Sequence, residues 1–305
     1  MSLYLKYRPS ELSQVRGNEE TVSTLEKMLS DIKTCPHSFL LHGPTGCGKT
    51  TLGRIIGSTL GCIGNDFREV DSADFRGIDT IREIRKNSAF MPLEGACRVW
   101  LIDECHKMTN DAQNALLKIL EDTPKHVFFI LCTTEPQKLI ATIKGRCQQF
   151  QVKTLNEIQL TTLIKRIARS EGESLNPEII EYIVQNSLGH PRNAIQALEQ
   201  ILTAPTEDRL KIAKQSTQEQ AQTIELCRAL FKPAVKWKEV NTILNGLKDI
   251  EPEEIRRQIL GYFSAVLLKE DNQRAGLILE QFWEPLYNTG FPGLVYCCYS
   301  IVKSN

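Results

Sequence analysis

Apolar and polar positions alternate in two different ways along this chain of 305 residues. Up to about residue 152, short and nearly continuous apolar stretches are separated by longer stretches with apolar residues at helical spacing. The apolar stretches are residues 38–42, 67–70, 97–103, 126–133 and 147–152. Strands that are apolar throughout and alternate with helices are typical of a parallel sheet covered on both faces. We therefore predict an α/β domain with a five-stranded parallel sheet over residues 1–152.

The strand pattern stops after residue 152. Residues 156–172, 176–189 and 190–202 have the spacing of three short amphipathic helices. The polar residues 203–220 indicate a linker that merges into a new helix, and the pattern from about residue 209 onward is helical. We predict a small helical domain over residues 153–207 and a second, all-α domain over residues 208–305.

The composition is that of an ordinary soluble globular protein, with 41% hydrophobic and 24% charged residues. No apolar run is long enough to span a membrane, and the first twelve residues lack the apolar core of a signal peptide, so we expect a cytoplasmic protein. The formal net charge is zero. A surface that binds nucleic acid would therefore have to concentrate its positive charge on one face.

The ten cysteines include no CxxC pair, and several of them lie in predicted buried strands. Free thiols in a reducing compartment fit this spacing better than disulfides do. The five histidines form no metal-ligand pattern with the cysteines, so we expect no zinc site.

Residues 43–50, GPTGCGKT, match the phosphate-loop pattern GxxxxGK[ST], between a predicted strand and a predicted helix. Backbone N–H groups and the helix N-terminus would surround phosphate oxygens. Lys49 would reach the β- and γ-phosphates of ATP, and Thr50 would ligate Mg²⁺. A chance glycine-rich turn is the alternative. The predicted ATP-binding residues of this loop are Gly43, Pro44, Thr45, Gly46, Cys47, Gly48, Lys49, Thr50 and Thr51.

Two further strands end in polar residues that suit phosphoryl transfer. The strand at residues 98–103 is followed by a second carboxylate, so Asp103 would hold Mg²⁺ and Glu104 would polarise the attacking water. The next strand ends in Thr133 and Thr134, and a hydroxyl there, which we assign to Thr134, would contact the attacking water or the γ-phosphate. A threonine that only satisfies backbone groups at the strand end is the alternative.

An arginine in the second domain occupies an unusual position. Pro191 suits the first turn of a helix, which places Arg192 in the same turn, where the helix dipole disfavours a cation. An anion nearby would explain this placement, and we predict that Arg192 contacts the γ-phosphate of ATP. An ordinary exposed arginine is the alternative.

These motifs together resemble the AAA+ ATPase subunits of sliding-clamp loaders: bacterial gamma and tau, the small subunits of replication factor C, and their phage counterparts, including the large subunit of phage clamp loaders. The resemblance is dense through about residue 200. The similar stretches are residues 4–20 (the adenine-side segment), 69–84 (the start of the DNA-tracking helix), 103–139 (most like gamma and tau) and 144–150, KGRCQQF (the Ser-Arg-Cys box).

The resemblance implies names and partners for the predicted domains. Residues 153–207 would be a lid, and residues 208–305 a collar that assembles with other loader subunits into a pentameric ring. The expected partners are a sliding clamp and primer–template DNA, with ATP and Mg²⁺ as ligands. Tyr7, Arg8, Val15 and Arg16 would pack near the adenine.

The resemblance also explains a lone arginine in the stretch TIKGRCQQF at residues 142–150, which contains no acidic residue. Arg146 would have no local partner because it acts as an arginine finger in trans, on the ATP of a neighbouring subunit. Gly145 stands where the family's box has serine, so one hydroxyl is lost. An arginine that caps the carbonyls of its own helix is the alternative.

Contacts with DNA and clamp are assigned to one predicted helix and its end. Arg76, Gly77 and Ile78 would hold duplex phosphates at the helix start, independently of base sequence. Arg82 and Arg85 would extend this track, although a solvated helix face explains them equally well. By resemblance, Phe90 and Met91 form an apolar tip that grips the clamp; that they cap the chain's own core is the alternative.

Gln113 follows the two carboxylates on the next predicted helix. It is either the return partner of a capping box that begins at Asn110, or the family's residue that couples neighbouring ATP sites, and the two roles do not exclude each other.

We therefore predict a DNA- and clamp-stimulated ATPase subunit of a clamp loader, in which ATP binding orders a spiral that holds an open clamp and primed DNA, and hydrolysis releases the clamp. The chain departs from gamma and tau in having Cys62 alone where they carry a four-cysteine zinc module. One alternative is another AAA+ machine that remodels DNA, such as a branch-migration motor. A non-hydrolysing scaffold subunit is a second alternative, against which the complete GKT and DE motifs argue.

Overall fold

The computed structural model describes residues 2–32, 34–72, 77–248 and 250–303, and only the backbone for residues 211–221. It divides the chain into two compact units, Met1–Thr206 and Glu207–Asn305. Within the described ranges, no helix has both the length and the apolar character needed to cross a membrane. A separation of the first unit into two domains at residue 152 stays a prediction.

The first unit is built on a five-stranded sheet in which every pair of neighbouring strands is parallel, as predicted. The strand order is β2-β3-β4-β1-β5. The three central strands are almost wholly buried because helices cover both faces, whereas the two edge strands are partly exposed. The strands are β1 Ser38–His42, β2 Phe67–Asp71, β3 Arg98–Asp103, β4 Val127–Thr133 and β5 Gln148–Gln151.

Helices of the first unit precede, connect and follow the strands. The last three, α7 to α9, correspond to the predicted lid. They are α1 Leu3–Lys6, α2 Glu19–Leu29, α3 Lys49–Thr59, α4 Ile78–Ser88, α5 Asn110–Glu121, α6 Ala141–Arg146, α7 Glu157–Ser170, α8 Pro177–Asn186 and α9 Pro191–Thr203. Short 3-10 turns lie at Leu12–Gln14, Gly64–Asp66, Cys105–Lys107 and Pro136–Lys138.

Two apolar clusters form on the two faces of the sheet because successive side chains of a strand point in opposite directions. In β1, Phe39 and Leu41 belong to one cluster and Leu40 to the other. Helix α3 lies close to the first face at Gly53, where an added Cβ would come within 2.5 Å of Leu101 Cδ1. This close approach holds the N-terminus of α3 against the carboxyl ends of the central strands.

The second unit is all-α, as predicted, and encloses its own apolar cluster. The polar stretch at residues 203–220, which was predicted to be a linker merging into a helix, is mostly helical because α10 already begins at Arg209. A buried ion pair joins Glu253 to Arg256 inside this unit. The helices are α10 Arg209–Phe231, α11 Trp237–Gly246, α12 Pro252–Leu267, α13 Gln273–Gln281 and α14 Gly290–Lys303.

Candidate nucleotide-binding site

The phosphate loop leaves β1 and enters α3 through glycines with unusual backbone angles. Gly43 has φ 151°, and an added Cβ there would lie 2.0 Å from the carbonyl oxygen of Val152. Gly46 and Gly48 have φ 71° and 98°, which favour glycine. The sequence therefore supplies glycine where the loop must turn its N–H groups towards a bound anion.

Lys49 is the first residue of α3, and its side chain is buried in the loop. Its Nζ donates hydrogen bonds to the carbonyl oxygens of Gly43 and Pro44, both at 2.9 Å. The buried ammonium group places a positive charge at the phosphate loop and the N-terminus of α3, which suits phosphate oxygens.

Thr50 and Asp103, which are 53 residues apart in sequence, meet at the carboxyl ends of β1 and β3. Thr50 Oγ1 donates to Asp103 Oδ2 at 2.7 Å, so both oxygens lie within reach of one small ion. Mg²⁺ prefers oxygen ligands of this kind and keeps several of its waters. The residues present therefore fit the predicted Mg²⁺ site.

Glu104 follows Asp103 in a left-handed conformation with φ 48°, which is rare for a residue other than glycine. Its Oε2 lies 3.4 Å from Thr134 Oγ1 and 3.4 Å from His106 Nδ1. Thr133, in contrast, is fully buried, and its hydroxyl accepts a hydrogen bond from the Glu135 N–H at 3.0 Å. Thr134 therefore faces Glu104, whereas the Thr133 hydroxyl bonds to the backbone of Glu135 and lies 3.0 Å from His106 Nδ1. The sequence reading overlooked His106.

The adenine-side prediction and the phosphate-loop prediction converge on one cleft. The cleft is also lined by residues that the sequence reading missed, among them Tyr4 and the lid residue Arg166. Burial, and then the positive charges of Arg54 and Arg192, lower the pKa of Arg8, because each makes a further positive charge at this position less favourable. The predicted residues that line the cleft are Tyr7, Arg8, Val15, Arg16, Gly46, Cys47, Gly48, Thr51 and Arg192.

The lid touches the phosphate loop directly through the first turn of α9. The backbone N–H of Arg192 donates to the carbonyl oxygen of Gly46 at 3.4 Å. His190 Nδ1 donates to the carbonyl oxygen of Thr45 at 2.8 Å. The Arg192 side chain is exposed, with its guanidinium 5.9 Å from the centre of the Tyr4 ring. These contacts bring the predicted γ-phosphate residue to the mouth of the loop.

The prediction that Arg146 lacks a local partner is wrong. Its Nη2 donates to Glu121 Oε1, and its Nη1 donates to the carbonyl oxygen of Thr142 at 3.2 Å. The partner was missed because Glu121 is 25 residues away in sequence, at the end of α5. The Arg146 side chain remains exposed, and its role in trans stays a prediction.

The capping-box interpretation of Gln113 is also wrong. Thr109 caps α5 by accepting a hydrogen bond from the Ala112 N–H at 3.2 Å, and Asn110 is already inside the helix. Gln113 is buried, and its Oε1 accepts from the Ile140 N–H at 3.0 Å, while its Nε2 donates to the carbonyl oxygens of Met108 and Lys138.

These bonds tie the start of α5, just after the two carboxylates, to the segment that leads into α6 and Arg146. The arrangement is compatible with the predicted coupling of neighbouring sites.

The predicted DNA track is only partly described. Arg76 lies outside the described residues, and Gly77 is the N-cap of α4, which begins at Ile78. Arg82 is exposed and pairs with Asp79, with 2.9 Å between Nη1 and Oδ1. A shallow groove between α4 and α5 is lined by Arg82, Arg85 and a residue that the sequence reading missed, Lys118. Its spacing from Asp111 and Asn114 on α5 is helical, which was a usable signal.

Phe90 and Met91 are 58% and 68% exposed, so the alternative that they cap the chain's own core is wrong. Leu93, which the sequence reading did not select, is 75% exposed. We call residues 90–93 the tip.

The buried ion pair Asp66–Arg98 binds the backbone of the tip. Arg98 donates to the carbonyl oxygens of Phe90 and Met91 at 3.3 and 3.2 Å, and Asp66 Oδ2 accepts from the Leu93 N–H at 2.8 Å. The three apolar side chains therefore project from a fixed backbone.

Comparison with known proteins finds similarity to subunits of DNA polymerase III. Residues 64–156 match the family model described as DNA polymerase III, delta subunit. DNA polymerase III subunit gamma/tau of Mycobacterium tuberculosis is 32% identical over 225 residues, which cover 66% of this chain and 39% of that protein. DNA polymerase III subunit gamma of Buchnera aphidicola is 32% identical over 215 residues, which cover 64% and 59%. The chain thus spans less than two thirds of the length of these relatives.

Solved structures with a similar fold include RuvB, the Holliday junction branch migration motor of Thermotoga maritima. It has a TM-score of 0.57 and 22% identity, over 84% of this chain and 78% of that chain. A point mutant of the same protein has a TM-score of 0.61 and 19% identity, over 79% and 86%. The structural matches show the fold alone, whereas the sequence matches agree with the resemblance drawn from the motifs.

Proposed function

We propose that this chain, a clamp-loader AAA+ subunit related to the gamma and tau subunits of DNA polymerase III, hydrolyses ATP to load a sliding clamp onto primer–template DNA. The observation that carries the proposal is the convergence of Lys49, the Thr50–Asp103 pair, Glu104 and Thr134 at the carboxyl ends of three neighbouring strands, β1, β3 and β4. Phosphoryl transfer needs phosphate binding, charge neutralisation and a positioned water, and these residues can supply all three.

Each residue then has a defined task at the γ-phosphate. Lys49 needs only to exchange the loop carbonyls for phosphate oxygens, and Thr50 and Asp103 would hold Mg²⁺, which neutralises phosphate charge when bound. Glu104 orients the attacking water, and the Thr134 hydroxyl beside it restricts where the Glu104 carboxylate points. Arg192 extends from the lid over the same phosphates.

Arg146 would act on the ATP of the neighbouring subunit. In the single chain its guanidinium pairs with Glu121 at the surface, and such exposed pairs contribute about 0–1 kcal/mol. An arginine finger accelerates phosphoryl transfer by roughly 10³–10⁵, which corresponds to about 4–7 kcal/mol of the barrier. Breaking the Glu121 pair therefore costs little beside the transition-state stabilisation that the arginine can supply to an adjoining subunit.

Other surfaces of the chain would bind DNA, the clamp and the other loader subunits. The groove between α4 and α5, with Arg82, Arg85 and Lys118, faces outward and offers positive charge to duplex phosphates. Burial of Phe90 and Met91 against the clamp would contribute roughly 3–5 kcal/mol before the costs of association. The collar would assemble this chain with other loader subunits, in a pentamer by analogy with the family, in the cytoplasm where replication takes place.

Purified assemblies of this chain with its partner subunits test the proposal through their ATPase rate, with and without primed DNA and clamp. We expect stimulation by DNA and clamp together. A rate that neither partner changes would contradict clamp loading. The likeness to RuvB does not favour a branch-migration motor, because identities near 20% show only a shared fold. Co-purification and native mass measurement would give the number of subunits.

A further inference from the structure

Residues 2–16, which we call the strap, cross the base side of the cleft and are attached to different parts of the first unit. The second half of the strap packs on the sheet, since Leu12 and Val15 belong to or contact the apolar cluster on one face. The first half, including α1, is attached to the lid helices α7 and α9. Tyr4, Tyr7 and Arg8 of this first half line the cleft.

Two lid carboxylates hold the two ends of α1. Glu199 on α9 accepts hydrogen bonds from Ser2 Oγ at 2.5 Å and from the Leu3 N–H at 3.1 Å. Glu171, at the C-terminus of α7, accepts from Lys6 Nζ at 2.8 Å and from the Tyr7 hydroxyl. Hydrogen bonds from Lys6 and Tyr7 lower the pKa of Glu171, and the bond to Glu171 raises the pKa of Tyr7. At neutral pH the carboxylate is therefore charged and the phenol protonated.

Helix α1 has only four residues, which is too short to be stable without tertiary contacts. Loss of the two carboxylate contacts would therefore loosen the first half of the strap, in which Leu3 is the buried residue of α1, and the segment would gain backbone and side-chain freedom. The sheet would not be affected directly, because the strap's second half has its own apolar contacts.

The lid is bonded at the same time to the phosphate loop, through His190 and Arg192. It thus touches both ends of the cleft: the phosphate end through α9, and the base end through the strap. A displacement of the lid must move Tyr7 and Arg8 with it as long as Glu171 and Glu199 keep their partners.

We propose that Glu171 and Glu199 are positioning residues that make the strap the base-contacting part of the lid. Closure of Arg192 over the phosphates then also closes Tyr7 and Arg8 over the nucleobase. The proposal rests on the proposed function, since it requires that ATP occupies the cleft. It predicts that the two carboxylates affect recognition of the base and leave recognition of the triphosphate unchanged.

The test compares binding of ATP and of inorganic tripolyphosphate, both with Mg²⁺, to the full chain and to the double variant Glu171→Gln, Glu199→Gln. The variant replaces two charged hydrogen-bond acceptors with neutral amides, so we expect the affinity for ATP to fall about tenfold. The affinity for tripolyphosphate should not change. In the assembled ATPase, KM for ATP should rise while kcat at saturating ATP stays the same. Glu157→Gln, at the other and exposed end of α7, is the matched control and should behave as wild type.

Hydrogen exchange gives a second measurement that keeps the test valid if the variant loses stability. Peptides from residues 2–8 should exchange faster in the double variant, with unchanged exchange in β1, β3 and β4. Equal losses of ATP and tripolyphosphate affinity, or no loss of either, would overturn the proposal. If wild type binds no ATP, or if Lys49→Ala does not weaken ATP binding, the proposed function itself fails.

Discussion

Asp66 and Arg98 form an ion pair with 3.0 Å between Oδ1 and Nη2, in which the side chains are 0% and 8% exposed. The pair joins the turn before β2 to the first residue of β3. Burial alone would raise the pKa of Asp66, but hydrogen bonds from the N–H groups of Glu94, Leu93 and Gly95 and from Arg98 hold it well below its usual range. A buried charge is tolerated here because three backbone N–H groups and Arg98 Nη2 all donate to it.

The pair determines how the tip is presented, which leads to a prediction for Asp66→Asn. The amide keeps the shape but loses the charge, and with its oxygen facing Arg98 its NH2 group takes the place of Oδ2, so the N–H groups of residues 93–95 lose their acceptor. We expect faster hydrogen exchange of these amides and weaker binding of the clamp by about tenfold. Hydrogen exchange can be measured by mass spectrometry, and clamp affinity by binding to immobilised clamp, on the same preparations.

Phe90→Ala separates the contribution of the apolar side chain from that of the fixed backbone. It removes an exposed side chain and should weaken clamp binding without a change in exchange at residues 93–95. If Asp66→Asn accelerates exchange but clamp affinity is unchanged, a fixed backbone is not needed for docking. If Phe90→Ala also leaves clamp affinity unchanged, the tip is not the clamp-binding surface.

The sheet could be predicted from sequence because its strands are apolar on both faces and are separated by helices, a pattern with few other solutions. The five strands and the all-α second unit were found in this way. The start of α5 was misplaced by one residue because Thr109 and Asn110 are both good caps, and side-chain geometry alone decides between them.

Some site residues could be predicted from local sequence motifs, whereas others depend on tertiary packing. The phosphate loop and Asp103 follow from local motifs, and the sequence places them correctly at the strand ends. Glu121 and Arg146 are 25 positions apart, and Asp66 and Arg98 are 32 positions apart. No local sequence pattern could therefore predict these two ion pairs. Their partners meet only after the helices pack on the sheet.

Arg146 and Glu121 should respond oppositely to substitution if the arginine acts in trans. Arg146→Ala should leave ATP binding to the isolated chain intact and lower hydrolysis in the assembly by about 10³–10⁵. Glu121→Gln removes the surface partner that competes for the guanidinium, so hydrolysis in the assembly should stay at or above the wild-type rate. Single-turnover hydrolysis in assembled complexes measures both.

The half-buried neighbour Lys144 provides the control, since Lys144→Ala changes a charge on the same helix without touching the proposed finger. An equal loss of ATP binding in the isolated Arg146→Ala chain would contradict the role in trans. A fall in hydrolysis with Glu121→Gln as large as with Arg146→Ala would indicate that the pair itself is the functional unit.

The groove between α4 and α5 predicts how DNA stimulation depends on salt. Arg85→Ala and Lys118→Ala should each weaken DNA-stimulated hydrolysis to a similar degree on every sequence, and should lower the slope of log affinity against log salt by about one. Binding of primed DNA at several salt concentrations measures this slope.

Lys86→Ala is the matched control, because this exposed lysine lies on α4 but outside the groove. A loss that depends on base sequence, or a control with the same change in slope, would count against a phosphate track at this position.

In the second unit, Glu253 predicts a dependence of stability on pH. The side-chain hydrogen bonds from Arg256, opposed by burial and reinforced by the Leu286 N–H, lower the pKa of Glu253 to about 2. An unfolded glutamate titrates near pH 4.3. A depressed folded pKa means that the stabilisation is fully present above the unfolded value and is lost as the pH falls through the folded value. The window is therefore roughly pH 5 to pH 2.

Glu253→Gln leaves Arg256 buried without its counter-charge and should lower the free energy of unfolding of this unit by about 3–5 kcal/mol at pH 7. The difference from wild type should shrink as the pH falls from 5 towards 2, because the wild-type carboxylate becomes protonated. Native-state hydrogen exchange of peptides from residues 252–286 measures this unit within the full chain. Glu254→Gln, the exposed neighbour, should show neither effect, and a difference that stays constant down to pH 2 would contradict the role assigned to the Glu253 charge.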